Sequence, residues 1–175
     1  MKTLALTLLI MVLPVAASAQ SAADPVNRIM DVATGIWATN EGSSVGYFDN
    51  IDRDFSKSFA DTYRENTKYP AYDEGDTPFD YDVITSSQDG CPFKDVKISP
   101  PGDKDGTSVV DVRFKLWTCA PDAESQAKVN QLKFDVVTEG GKPVISDVHR
   151  LSDGKWDSLL AEMKENIERG KNPQQ

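Results

Sequence analysis

Asp147 and His149 are the most enzyme-like residues in the chain, two positions apart in a run, Val144 to Leu151, that reads as a strand. Period-two alternation puts them on one strand face with Ile145 and Leu151, so a carboxylate stands beside the sole histidine. Such a carboxylate stabilises imidazolium and sets its protonation, which a proton shuttle near neutral pH requires. Val144, Ser146, Val148 and Arg150 fall on the other face, and a pattern this weakly amphiphilic favours a plain exposed pair on the outer side of a final strand. If the strand instead turned the pair into a pocket, Tyr63 or Asp82 would assist. Tyr63, Asp82, Asp147 and His149 are therefore the candidate ligand-binding residues, and none is assigned a catalytic role.

Two other constellations are weaker. Gly42-Ser43-Ser44-Val45-Gly46 has the Gly-x-Ser-x-Gly spacing of a nucleophile elbow, but that motif needs a strand before it in a parallel sheet, and a helical pattern precedes it here. It reads as a flexible loop between helices. Asp73, Glu74, Asp76, Asp80 and Asp82, and separately Asp103 with Asp105, offer the oxygens a calcium ion wants, but neither group has EF-hand spacing. Carboxylates this dense in a loop read as a solvated surface. One histidine and two cysteines cannot fill the usual ligand set of a structural zinc site. No metal and no cofactor is expected.

The two cysteines have a structural reading. Cys91 and Cys119 each lie 14 residues from Asp105, within the turn signal Pro101 to Gly106. If that turn closes an antiparallel hairpin, equal arms bring the cysteines opposite one another as a disulfide. A redox dithiol would want Cys-x-x-Cys spacing, which is missing. A disulfide needs an oxidising compartment, and the N-terminus supplies the route. Lys2, the apolar run Leu4 to Val15 and Ala17-Ser18-Ala19 read as an export signal cleaved after about Ala19, leaving a periplasmic or secreted protein. The apolar run is shorter than the ~20 residues of a membrane span. Gln20, Ser21 and Ala22 hold no cysteine for a lipid anchor.

The elements that must carry these residues fit one domain over residues 20–170, with 171–175 a frayed tail. Without Lys2 the chain has 18 basic groups against 28 acidic ones, a net charge of −10 that repels nucleic acid and mildly favours a basic protein partner. Asp24-Pro25 followed by Val26, Ile29, Val32, Ala33, Ile36 and Trp37 predicts a capped amphipathic helix. A second helix is expected from about Ile51 to Asn66. Strands are expected at Phe79 to Ile84, Val96 to Ile98, Ser108 to Trp117, Val129 to Val137 and Val144 to Leu151, with Gly140-Gly141 turning a hairpin. Trp156, Leu159, Leu160, Met163 and Ile167 form a closing helical stripe that Gly170 ends. Helices, then an antiparallel sheet, then a helix make an α+β protein, since crossover helices between strands are missing.

Pro78-Phe79-Asp80-Tyr81-Asp82 leading to Ser87-Gln88-Asp89, then Val109 to Leu116, then Val144 to Val148 before Ser158-Leu159-Leu160, resembles a bacterial envelope family, domain of unknown function 3828. The resemblance covers roughly Phe48 to Glu168 and implies the cone of the nuclear transport factor 2-like (cystatin-like) superfamily, a curved antiparallel sheet wrapped around helices that leaves a pocket. It implies no activity. The first functional expectation is a non-catalytic module binding a small molecule or a protein. The alternatives are a small acid–base isomerase or hydrolase using Asp147 and His149, and an immunity or inhibitor protein.

Overall fold

The computed structural model describes residues 21–38, 46–71 and 77–172. Helix α1 (Ala23–Ala38) buries Val26, Ile29, Ala33 and Trp37, one stripe at helical spacing. Asp24, the expected cap, lies in its first turn and accepts from Ser21 N, while the Ser21 hydroxyl accepts from Ala23 N.

The single helix expected from Ile51 to Asn66 is two, α2 (Ile51–Asp54) and α3 (Lys57–Asn66). Phe55 leaves the helix to form a parallel bridge with Ile145, Ser56 N donates to Ile145 O at 2.8 Å, and the Ser56 hydroxyl caps α3 by accepting from Phe59 N. The aromatic stripe survives the break, because Phe55 and Phe59 still stack with centroids 4.5 Å apart. The strand expected at Phe79 to Ile84 is a loop. There the Asp82 carboxylate accepts from Ile84 N and Thr85 N, so the backbone wraps around a side chain where a ladder would need those donors.

The sheet contains β1 (Lys94–Ile98), β2 (Gly102–Lys104), β3 (Thr107–Lys115), β4 (Asn130–Glu139), β5 (Lys142–Ser152) and β6 (Lys155–Trp156), with a short α4 (Ala123–Ala127) between β3 and β4. Its order is β1-β3-β4-β5-β6, with β2 also on β3, and every pairing is antiparallel. Asp105-Gly106, Gly140-Gly141 and Asp153-Gly154 turn its hairpins, all at positive φ. Two-residue turns of this kind match the twist of the strands. Val110, Val112 and Phe114 of β3, Leu132, Phe134 and Val136 of β4, and Ile145 and Val148 of β5 make one buried face. Trp37 of α1, Phe55 between α2 and α3, and Phe59 of α3, with Leu159 and Met163 of α5 (Leu159–Lys171), close over that face in a single core. The protein is thus α+β, an open antiparallel sheet with helices packed on it.

Two expectations about the last helix change. Trp156 is not on its stripe but in β6, opposite Leu151 and 40% exposed. Gly170 does not end it either: it lies within α5, where a Cβ would come 2.2 Å from the Tyr69 ring. The cysteines do sit where the symmetric arms put them. Ile98 pairs with Val112 and Gly102 with Val109, Cys91 N donates to Leu116 O, and Cys91 is bonded to Cys119 with Cα atoms 5.8 Å apart.

The bridge spans 28 residues of sequence, and in the chain-entropy model such a loop is worth about 3.6 kcal/mol. Cys91→Ser/Cys119→Ser should therefore unfold at a lower guanidinium concentration than the oxidised protein, with a deficit of about 2–4 kcal/mol. Equal midpoints for the oxidised and cysteine-free chains would contradict the staple.

Candidate functional site

Sheet register, more than the local sequence, decides where Asp147 and His149 point. From Glu139↔Lys142 to Val136↔Ile145 the β4–β5 hairpin pairs regularly, but the next pair is Asp135↔Asp147, which leaves Ser146 as an extra residue in β5. Facing residues share a side of the sheet. Beyond this bulge Val148 and Arg150 lie opposite Phe134 and Leu132 on the buried face, while Asp147 and His149 lie opposite Asp135 and Lys133 on the outer one. Ile145 is thereby separated from Asp147 and His149 and joins the core, a correction to simple alternation.

On the outer face the His149 ring is surrounded by acceptors. Its Nε2 is 3.0 Å from Asp135 Oδ2 and 3.7 Å from Asp147 Oδ2, and its Nδ1 is 2.7 Å from the Asp157 carbonyl oxygen. A carbonyl and a carboxylate only accept, so both ring nitrogens must carry a proton to satisfy this arrangement. Partial desolvation works against the charge, but the Asp135 hydrogen bond, the Asp157 carbonyl and the fields of Asp147 and Asp135 outweigh it and raise the pKa above its usual value. Asp147 has a second task. Its Oδ2 accepts from the Ser158 hydroxyl at 2.6 Å and its Oδ1 from Leu160 N at 3.0 Å, so it holds the N-terminus of α5 to β5.

His149 borders an open groove of about 500 Å³ on this face, walled by Lys104 and Thr107 of the β2–β3 hairpin, Val109, Lys133 and Trp156. Lys133 Nζ stands 4.4 Å from the centroid of the Trp156 ring. Among the described residues neither Lys104 nor Lys133 has a carboxylate within 4 Å. The groove therefore presents two ammonium groups, the exposed Asp105 carboxylate at the hairpin turn and a flat indole, while Asp135 and Asp147 are occupied by His149 and α5.

The other two candidates lie on the helical side of the sheet. Asp82 is buried and accepts from Trp37 Nε1 at 3.1 Å, Tyr47 Oη at 2.7 Å, Ile84 N, Thr85 N and the Thr85 hydroxyl. Burial first, and Asp82 next, push the Tyr47 phenol far up, so it stays a donor. Tyr63 packs against Phe48 with centroids 4.0 Å apart, its pKa raised by burial and by Asp49. Neither borders the groove. Asp73, Glu74 and Asp76 and the segment Gly42 to Val45 lie outside the described residues, and Asp80 is exposed. Among the described residues no group of three or more His, Cys, Asp or Glu is placed to hold a metal ion. Lys104, Lys133, Asp135 and Trp156 were not singled out from the sequence. Cross-strand register was the one signal that leads to them, and the bulge conceals it.

Comparison of the chain with family models, curated proteins and solved structures found no match.

The two carboxylate sites should respond differently to mutation. Asp82→Ala leaves four or more buried donors unpaired and should cost about 3–5 kcal/mol of folding stability. His149→Ala, on a half-covered face, should cost about 1 kcal/mol. Urea denaturation of both variants checks this, and an Asp82→Ala protein as stable as His149→Ala would contradict the structural role of Asp82.

Proposed function

We propose that this protein is a non-catalytic binding module whose site is the outer-face groove, and that it takes there a ligand combining an anionic group with a flat apolar face. The observation carrying this reading is the exposed Trp156 under the Lys133 ammonium, with Lys104 across the groove. An indole offers dispersion and stacking to a planar group, and two ammoniums with no carboxylate within 4 Å among the described residues offer charge-assisted hydrogen bonds to a carboxylate. A small aromatic acid and an acidic side chain of a protein partner share this chemistry. With Lys104, Lys133 and the His149 imidazolium against Asp105 and Asp135, the groove is less negative than the chain as a whole, whose net charge is −9.

The acid–base alternative gains Asp135 as a neighbour of His149 but loses a free base: with Nδ1 and Nε2 both donating, the ring has no lone pair left to take a proton. On the helical side, Phe114, Phe134, Phe59 and Trp37 fill the space where a cone would hold its pocket. We also propose that the chain belongs to the envelope family it resembles, that its layered sheet and helices form the nuclear transport factor 2-like cone, and that it acts in the periplasm or outside the cell. The bonded Cys91 and Cys119 support export.

Benzoate is a suitable probe. Titrated into the isotopically labelled protein, it should shift the Trp156 indole N–H more than those of Trp37 and Trp117, and Lys133→Gln should weaken binding about two- to fivefold, the effect of one exposed charge contact. Absence of any shift at Trp156 up to tens of millimolar would count against the ligand class. Turnover of any defined substrate, lost in a folded His149→Ala variant, would overturn the non-catalytic reading.

A further inference from the structure

Asp157 connects the two sides of the sheet. Its carbonyl accepts from His149 on the outer face, and its carboxylate accepts from the Arg150 backbone N–H at 2.8 Å and from the Arg150 guanidinium at 2.9 to 3.2 Å. Arg150 is itself buried, with further bonds to Glu162, the Tyr81 hydroxyl and the Val83 carbonyl. Asp157 directly follows Trp156, the indole wall of the groove. Trp156 belongs to a two-residue strand, held to β5 at Leu151↔Trp156 and Ser152↔Lys155.

We propose that His149 is a pH-operated latch on this groove: as imidazolium it holds Asp157 and hence Trp156 against the sheet, and on losing its proton it lets that wall swing away. The inference rests on the groove being the binding site only for its consequence to binding; the motion stands on geometry alone.

A neutral ring has one N–H for two acceptor directions. With Nδ1 protonated, the Nε2 lone pair faces the Asp135 carboxylate at 3.0 Å, with Asp147 at 3.7 Å. With Nε2 protonated, the Nδ1 lone pair faces the Asp157 carbonyl at 2.7 Å. One contact must open in either case. The Nε2–H to the Asp135 carboxylate is charge-assisted and the stronger of the two bonds, whereas the Asp157 carbonyl lies just past the two-residue β6, where Asp157 N donates to Arg150 O at 3.1 Å. The weaker support yields. Asp157 keeps its bonds to Arg150, so the segment pivots there and does not detach.

The charges around the ring favour the closed state. Asp135 and Lys133 face it from β4, Asp147 from β5, the Asp157 carbonyl from the segment before α5, and Lys104 and Asp105 from the β2–β3 hairpin across the groove. The nearest are carboxylates, and the folded ring holds its proton more tightly than a free histidine, whose pKa is near 6.5. The latch is therefore complete below about pH 6.5 and is lost as pH rises through the higher folded value.

His149 is the sole histidine, so its C2–H gives one NMR resonance in the full mature chain. Its titration should have a midpoint above 6.5. The Trp156 indole N–H, identified with Trp156→Phe, should move with the same midpoint while Trp37 and Trp117 do not. Asp135→Asn should lower both midpoints together. A histidine midpoint at or below 6.5, or a Trp156 signal indifferent to the histidine titration, overturns the latch. Benzoate binding at Trp156 without this coupling would sink the latch and leave the proposed function standing. Coupling without benzoate binding would do the reverse.

Discussion

One extra residue in β5, Ser146, decides which side of the sheet every later residue in that strand faces. Were the hairpin through Gly140-Gly141 to continue in its first register, His149 would stand opposite Leu132 on the buried side and Arg150 would stand outside. The bulge reverses this. It sends Val148 to Phe134 in the core, and it lines up Asp135, Asp147 and His149 on the open face. A bulge also bends and twists its strand. Just before it, Ile145 bridges to Phe55 and its carbonyl accepts from Ser56 N, so the break between α2 and α3 is fastened to the same place in the strand.

The same reversal puts a guanidinium under the helices, and its burial has to be compensated. Arg150 is 4% exposed, and an unpaired charge there would cost several kcal/mol. Two carboxylates, a phenol hydroxyl and a backbone carbonyl answer it, one from each of Asp157, Glu162, Tyr81 and Val83. These partners come from β6's end, from α5 and from the loop before β1. A single buried charge thus recruits three separate segments to one end of β5. Because Asp157 serves Arg150 with its side chain and His149 with its main chain, the interior network and the outer groove are parts of one construction.

Some of this was legible in the sequence. The alternation Val110, Val112, Phe114 survives intact in β3, since both of its faces obey period two without interruption. Asp105-Gly106 and Gly140-Gly141 turn where expected because their positive φ angles need such residues, and the cysteines follow from the first of these turns. What escaped were features set by distant partners. Ser146 looks like any polar strand residue, and nothing local marks it as extra. Phe55 has the helical spacing of its neighbours, and only Ile145 draws it out of the helix. Trp156 fits the stripe of Leu159 and Met163 by period, yet the Asp153-Gly154 turn pairs it with β5 before Ser158 caps α5. Asp82 looked like a member of an acidic loop, but Trp37 and Tyr47, more than thirty residues earlier, make it an internal acceptor.

The Asp–His pair shows why residue types alone misstate chemistry. An aspartate near a histidine serves catalysis when it orients one ring nitrogen and leaves the other with a lone pair facing substrate. Here the oriented nitrogen donates to a carbonyl, and the nitrogen that would face substrate donates to a second aspartate. The more acceptors the fold gathers around the ring, the more firmly it stays protonated and the less it can act as a base. Those acceptors are also the reason the ring can bear a mechanical load: a doubly donating imidazolium ties β4 to the segment that carries Trp156, which a neutral ring between the same oxygens cannot do.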